Sequence, residues 1–150
     1  MTPAHEDPFN LGRFVEAQAK DYSRALAELR AGRKQTHWMW YVLPQLRGLG
    51  SSSMAHFYGI GSAREAEAYL AHPILGPRVR ECVAAMNGLD GPNAVQVLGE
   101  IDAAKFRSCL TLFRSVDPAD AVWGDALDRF FGGVPDARTL AMLNVAQRES

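Results

Sequence analysis

Along positions 11 to 29, Leu11, Phe14, Val15, Tyr22, Ala25, Leu26 and Leu29 recur at the spacing that lines one face of an α-helix. Asp7 followed by Pro8 reads as its N-cap and first helical position, with Asn10 as a rival cap, and Gly32 as its stop. Residues 38–43 break the rhythm: Trp38-Met39-Trp40-Tyr41-Val42-Leu43 is apolar throughout, so neither period is visible, and Pro44 bounds it. A buried irregular or short helical segment is expected there, with a strand pair as the alternative. Residues 45–53, rich in Gly and Ser, read as a loop.

Beyond the loop the helix punctuation is dense. Ser53 is expected to cap a short helix through Tyr58, and Gly59 and Gly61 to break it. Ser62 and Glu65 form a capping-box pattern for a helix to about Ala71, ended by His72-Pro73. Val79, Cys82, Val83 and Met86 stripe the next helix, closed by Asn87-Gly88. A short piece over residues 94–98 follows the Asp90-Gly91-Pro92-Asn93 turn. Asp102 is the expected cap of a long helix carrying Phe106, Cys109, Leu110 and Phe113. Asp117-Pro118 stops that helix and is the expected cap of one carrying Trp123, Leu127, Phe130 and Phe131, which Gly132-Gly133 ends. Asp136 caps a last helix to about Leu143, and residues 145–150 read as a polar, frayed tail. The prediction is an all-α fold: one compact domain of about seven helices, several of them short, with its core over residues 8–143.

The chain has 150 residues, 47% of them apolar and 22% charged, which suits one globular domain. The net charge of −1 supplies no global field, so nucleic acid is disfavoured as a partner. Arg30, Arg33 and Lys34, with Arg47, are the candidate local basic patch. Cys82 and Cys109 both fall on helix stripes and read as reduced core thiols. Residues 1–9 lack the apolar run of a leader peptide, and no stretch of about 18 apolar residues could span a membrane. A cytoplasmic location and no membrane partner follow as expectations. Phosphate loops, dinucleotide fingerprints, metal-spaced cysteines, His-Glu-x-x-His and the Gly-x-Ser-x-Gly elbow are all absent. No cofactor or metal is implied.

Candidate chemistry concentrates in residues 34–53. Trp38 and Trp40 can stack a planar group, Gln45 can fix its orientation, and His37 can move a proton near neutral pH. Lys34, Arg47 and the Gly-Ser amides can hold an anion if they form a nest. Lys105 and Ser108 share a helix flank with Asp102 and can complete such a pocket. The competing reading makes Trp38 and Trp40 core packing and leaves Lys105 and Ser108 on a solvated face.

The runs Arg13-Phe14-Val15-Glu16-Ala17-Gln18, His37-Trp38-Met39-Trp40 with Pro44-Gln45, Tyr69-Leu70-Ala71-His72-Pro73 and Lys105-Phe106-Arg107-Ser108 carry a resemblance. So do Gly48-Leu49-Gly50, Leu75-Gly76 with Arg78, Leu112-Phe113 and Phe130-Phe131-Gly132-Gly133. From about Pro8 to Leu143 the chain resembles the bacterial domain of unknown function 1810, sometimes labelled calpastatin. That resemblance implies a compact all-α fold and no established activity. The calpastatin label implies an extended, disordered chain, which the helix stripes contradict. Residues 14–20 and 75–80 are faintly similar to N-glycosidases of ADP-ribose-type nucleotides, although Arg13 stands where their acidic residue is expected. Two functions follow as expectations. One is binding or hydrolysis of a nucleotide-like or phosphate-bearing small molecule, with His37 or Glu16 in proton transfer. The other is a non-enzymatic interaction or scaffold domain, its protein partner unknown.

Overall fold

The computed structural model describes the backbone of residues 7–149 and side chains through residue 144. Residues 1–6, part of the stretch read for a leader, lie outside the described residues. The elements are α1 (Gly12–Ala31), α2 (Met39–Val42), α3 (Ser53–Tyr58), α4 (Ala63–Ala71), α5 (Leu75–Asn87), α6 (Ala94–Leu98), α7 (Glu100–Val116), α8 (Ala121–Phe131) and α9 (Ala137–Glu149). No strand is present among the described residues. The segment suspected of pairing forms α2, and one isolated parallel bridge joins Leu46 to Ile60. The last helix continues to Glu149, past the end expected near Leu143.

Helix α7 is the axis of the packing, touching α4, α6, α8 and α9, while α5 ties α1 and α4 to α8. A single apolar cluster runs through these helices, with Phe14, Tyr69, Phe106, Phe113 and Trp123 fully buried in it. Burial pushes the Cys82 thiol up to about 12 and Cys109 well above the usual thiol range, so both stay protonated within this core. Both are unpaired.

Most helix boundaries follow local capping chemistry, with informative departures. The Asp7 carboxylate accepts from the amides of Leu11 (2.8 Å) and Gly12 (2.9 Å), across a turn in which Asn10 takes a positive φ of 52°. Leu11 is the N-cap residue of α1, so neither Asp7 nor Asn10 is the cap, and Pro8 precedes the helix. Gly32 ends α1 in the left-handed region at φ 76°, where a side chain would be strained. The α3 cap is Ser52 rather than Ser53. Ser62 caps α4 as expected, but Glu65 reaches back to the Gly61 amide, leaving its other oxygen for an ion pair. Asp120, not Asp117, caps α8: Arg80 bridges both carboxylates, Asp117 accepts from the Trp123 indole, and the free Oδ1 of Asp120 accepts from the Val122 amide. The His72-Pro73 junction is built by His72 Nδ1 accepting from the amides of Ile74 and Leu75. Helix α7 begins at Glu100, so Asp102 lies inside its first turn instead of capping it.

Arg13 anchors the start of α1 to the α3–α4 corner. Its guanidinium donates to the carbonyls of Phe9, Asn10, Phe57 and Gly59 and to the Glu65 carboxylate at 2.7 Å. Those five acceptors match the five donors of an arginine fork. Both side chains are nearly sealed from water, at 5% and 6% exposure. Arg13→Ala leaves Glu65 charged and alone, and is expected to cost about 3–5 kcal/mol. Urea denaturation checks this, and Arg13→Lys should recover only part of the loss because an ammonium cannot reach the same five acceptors.

Candidate functional site

The segment that holds the candidate chemistry is fixed by one carboxylate. Glu28, near the end of α1, accepts from the Gln35 amide (2.7 Å), the Thr36 amide (3.0 Å), the Thr36 hydroxyl (2.7 Å) and the Trp38 indole (2.9 Å). Burial alone raises the Glu28 pKa, but these bonds outweigh it and pull the value down to about 2. Trp38 is only 1% exposed and packs in the core. It therefore supports the site from below and forms no pocket wall, which corrects its assignment as a ligand-binding residue.

Two residues on, α2 turns Trp40 into a partly exposed position beside Lys105 of α7, whose ammonium lies 5.2 Å from the indole centroid. Lys34 repeats the arrangement on Trp38 at 5.1 Å. Asp102 sits between the two lysines, 3.0 Å from Lys34 and 3.8 Å from Lys105. Lys34, His37, Trp40 and Lys105 line a cleft of about 500 Å³, closed by Glu100, Ile101 and Asp102. The Trp40 indole N–H is buried and has no hydrogen-bond partner among the described residues, a cost of about 1–3 kcal/mol.

A second cleft, of about 380 Å³, opens on the other side of Lys105 and Ile101. Gln45, Leu49, Gly50, Ser108, Asp136 and Arg138 line it. Lys105 faces Trp40 and borders both clefts, whereas Ser108 lines only the second and does not face the Trp38–Trp40 segment. Ser108 faces the second cleft, with its hydroxyl donated to the Ala104 carbonyl at 3.2 Å. Gln45 lies in this second cleft as well.

Other expected members are dispersed. Glu16 is exposed on α1 and is not among the residues lining either cleft, so it offers no proton-transfer partner to His37. Lys34 and Arg47 do not form a nest, since Arg47 lines a different cleft with Pro8 and Phe57 and donates to the His56 carbonyl. Arg30 is an exposed partner of Glu81, which removes it from the supposed basic patch. Arg13, at the position where glycosidases would carry an acid, is consumed by the fold. Ile101 and Arg138 escaped the sequence reading. Ile101 is 74% exposed despite its size, and Arg138 puts a cation in the first turn of a helix, where the dipole disfavours it. Among the described residues, no group of three or more His, Cys, Asp or Glu is placed to hold a metal ion, and no helix is long and apolar enough to cross a membrane.

The chain belongs to the family described as Protein of unknown function (DUF1810), which matches residues 8–143. No curated protein matches it. Among solved structures it is similar to the conserved hypothetical protein Rv1873 from Mycobacterium tuberculosis, solved at 1.38 Å. The two are 48% identical with a TM-score of 0.91, covering 92% of this chain and 99% of that one.

Two outcomes follow from the clamp. Because the folded pKa of Glu28 lies below its ordinary 4.5, its stabilisation is complete above 4.5 and is lost as the pH falls toward about 2. Glu28→Gln should therefore flatten the acid side of a Tm-against-pH plot over that window. Trp38→Ala should cost about 3–5 kcal/mol in chemical denaturation, and Trp40→Ala distinctly less.

Proposed function

We propose that this family member binds a small nucleotide-like molecule, a planar ring bearing a phosphate, in the groove around Trp40 and Lys105. The observation that carries the reading is their juxtaposition: a partly exposed indole lining the larger cleft, 5.2 Å from an ammonium that borders both clefts. Aromatic surface supplies area for a ring at little entropic cost, and a few convergent polar groups set its orientation. Asp102, itself paired with Lys34, holds Lys105, and His37 lines the same cleft as a further polar contact.

Binding is supported better than cleavage. Hydrolysis by His37 and Glu16 needs both near one bond, and Glu16 lies outside the cleft. The modest net charge of −1 argues against a nucleic-acid partner. Two buried, unpaired thiols suit a reducing compartment, and we assign the protein to the cytoplasm.

A thermal-shift screen against nucleotides, nucleotide sugars, ADP-ribose and simple phosphates tests the reading. A ligand at 100 times its Kd adds about 2.7 kcal/mol of stability. The shift should vanish in Trp40→Ala and Lys105→Ala proteins that still fold by circular dichroism. A flat screen with the folded protein overturns the proposal and favours the interaction-domain alternative, with the exposed Ile101 as its first contact to probe.

A further inference from the structure

The two clefts differ in charge, and that difference gives the ligand a direction. In the larger cleft the described charges balance: Lys34 and Lys105 face Glu100 and Asp102. Asp102 is moreover engaged by both lysines. Such a cleft has no surplus attraction for an anion. The smaller cleft holds Lys105 and Arg138 against a single carboxylate, that of Asp136. Asp136 is committed: its Oδ2 accepts from the Thr139 amide at 2.9 Å and the Thr139 hydroxyl at 2.6 Å. Lys105 borders both clefts and is itself paired with Asp102 at 3.8 Å, so the cation proper to the smaller cleft is Arg138, and the one carboxylate there is occupied.

Arg138 strengthens the argument. A cation in the first turn of α9 opposes the helix dipole, and no ion pair relieves it among the described residues. An anion placed between Arg138 and Lys105 would turn that local conflict into an attraction, and a guanidinium beside an ammonium suits a phosphate.

We infer that the ligand lies across the Lys105–Ile101 divide, with its ring against Trp40 in the charge-balanced cleft and its phosphate between Lys105 and Arg138 in the other. The ligand class is then a nucleoside 5′-monophosphate or a larger molecule containing one. Lys105 touches both halves, and Arg138 is the phosphate-specific residue. This rests on the binding reading above and adds its polarity.

Isothermal titration of the full chain with each ribonucleoside and its 5′-monophosphate, and with inorganic phosphate, separates the two. A charge-assisted contact to Arg138 predicts that the preferred monophosphate binds about tenfold or more tightly than its nucleoside. Arg138→Gln should erase most of that advantage, with nucleoside affinity as the internal reference, and Lys105→Gln should weaken both ligands. If Arg138→Gln leaves the advantage intact, the assigned direction is wrong while nucleotide binding stands. If neither nucleosides nor monophosphates bind the wild-type protein, both this inference and the reading beneath it fall. Heat capacity and circular dichroism of the Arg138→Gln protein confirm that a lost advantage is not lost folding, since Arg138 is exposed on α9.

Discussion

The Glu28 carboxylate is the constraint on which the groove depends. Helix α1 delivers it, and its four acceptor contacts fix residues 35–38 directly after the left-handed turn at Gly32. Next to that clamp the Lys34 amide donates to the Val97 carbonyl at 2.7 Å, stitching the same stretch to α6. With the chain held on both sides, Trp38 has one place to go, into the core, and α2 then carries Trp40 to the rim. Had Trp38 and Trp40 been equivalent, neither would make a site. The clamp makes them different, one a foundation and the other a surface.

The second constraint acts from the opposite end of the loop. Gly59 passes so close to Arg47 that a Cβ there would come within 2.5 Å of the Arg47 Cα. The pairing of Arg47 and Ile60 with Ile60 and Gln45 through backbone bonds of 2.8 and 2.9 Å locks the loop behind α2. Arg13 fastens the same corner to α1. A loop of Gly and Ser, flexible by composition, is thereby held at both ends, and Gln45 is presented to the second cleft on a fixed backbone.

Sequence periodicity exposed the long helices because their apolar stripes are a one-dimensional record of burial. Phe106, Cys109, Leu110 and Phe113 on α7 and Val79, Cys82, Val83 and Met86 on α5 are all buried as their spacing requires. Residues 38–43 were opaque for the same reason: an apolar run has no period to read, and what distinguishes Trp38 from Trp40 is the long-range bond to Glu28. Caps misread by one or more residues, at Ser52, Asp120 and Gly99, share a cause. Several residues nearby could all serve as caps, and tertiary partners choose among them, as the Trp123 indole does when it binds Asp117. Of the candidate site, Lys34, His37, Trp40, Gln45, Lys105 and Ser108 border one or other cleft, because the 34–40 stretch meets α7 through Lys34 with Asp102 and Trp40 with Lys105. Glu16 and Arg47 failed because helical phase and loop path, not residue type, decide which way a side chain faces.

Three local conflicts border the clefts around Lys105. Trp40 buries a donor with no acceptor, Ile101 exposes a large apolar side chain on α7, and Arg138 opposes the dipole of α9. Each choice is unfavourable by itself, and each could be relieved by a common substitution: a Phe, a Lys or a Glu. All three residues border the clefts that meet at Lys105. The exposed apolar face of Ile101 and the cation of Arg138, without an ion pair among the described residues, are demands that a ring and a phosphate on one molecule would meet.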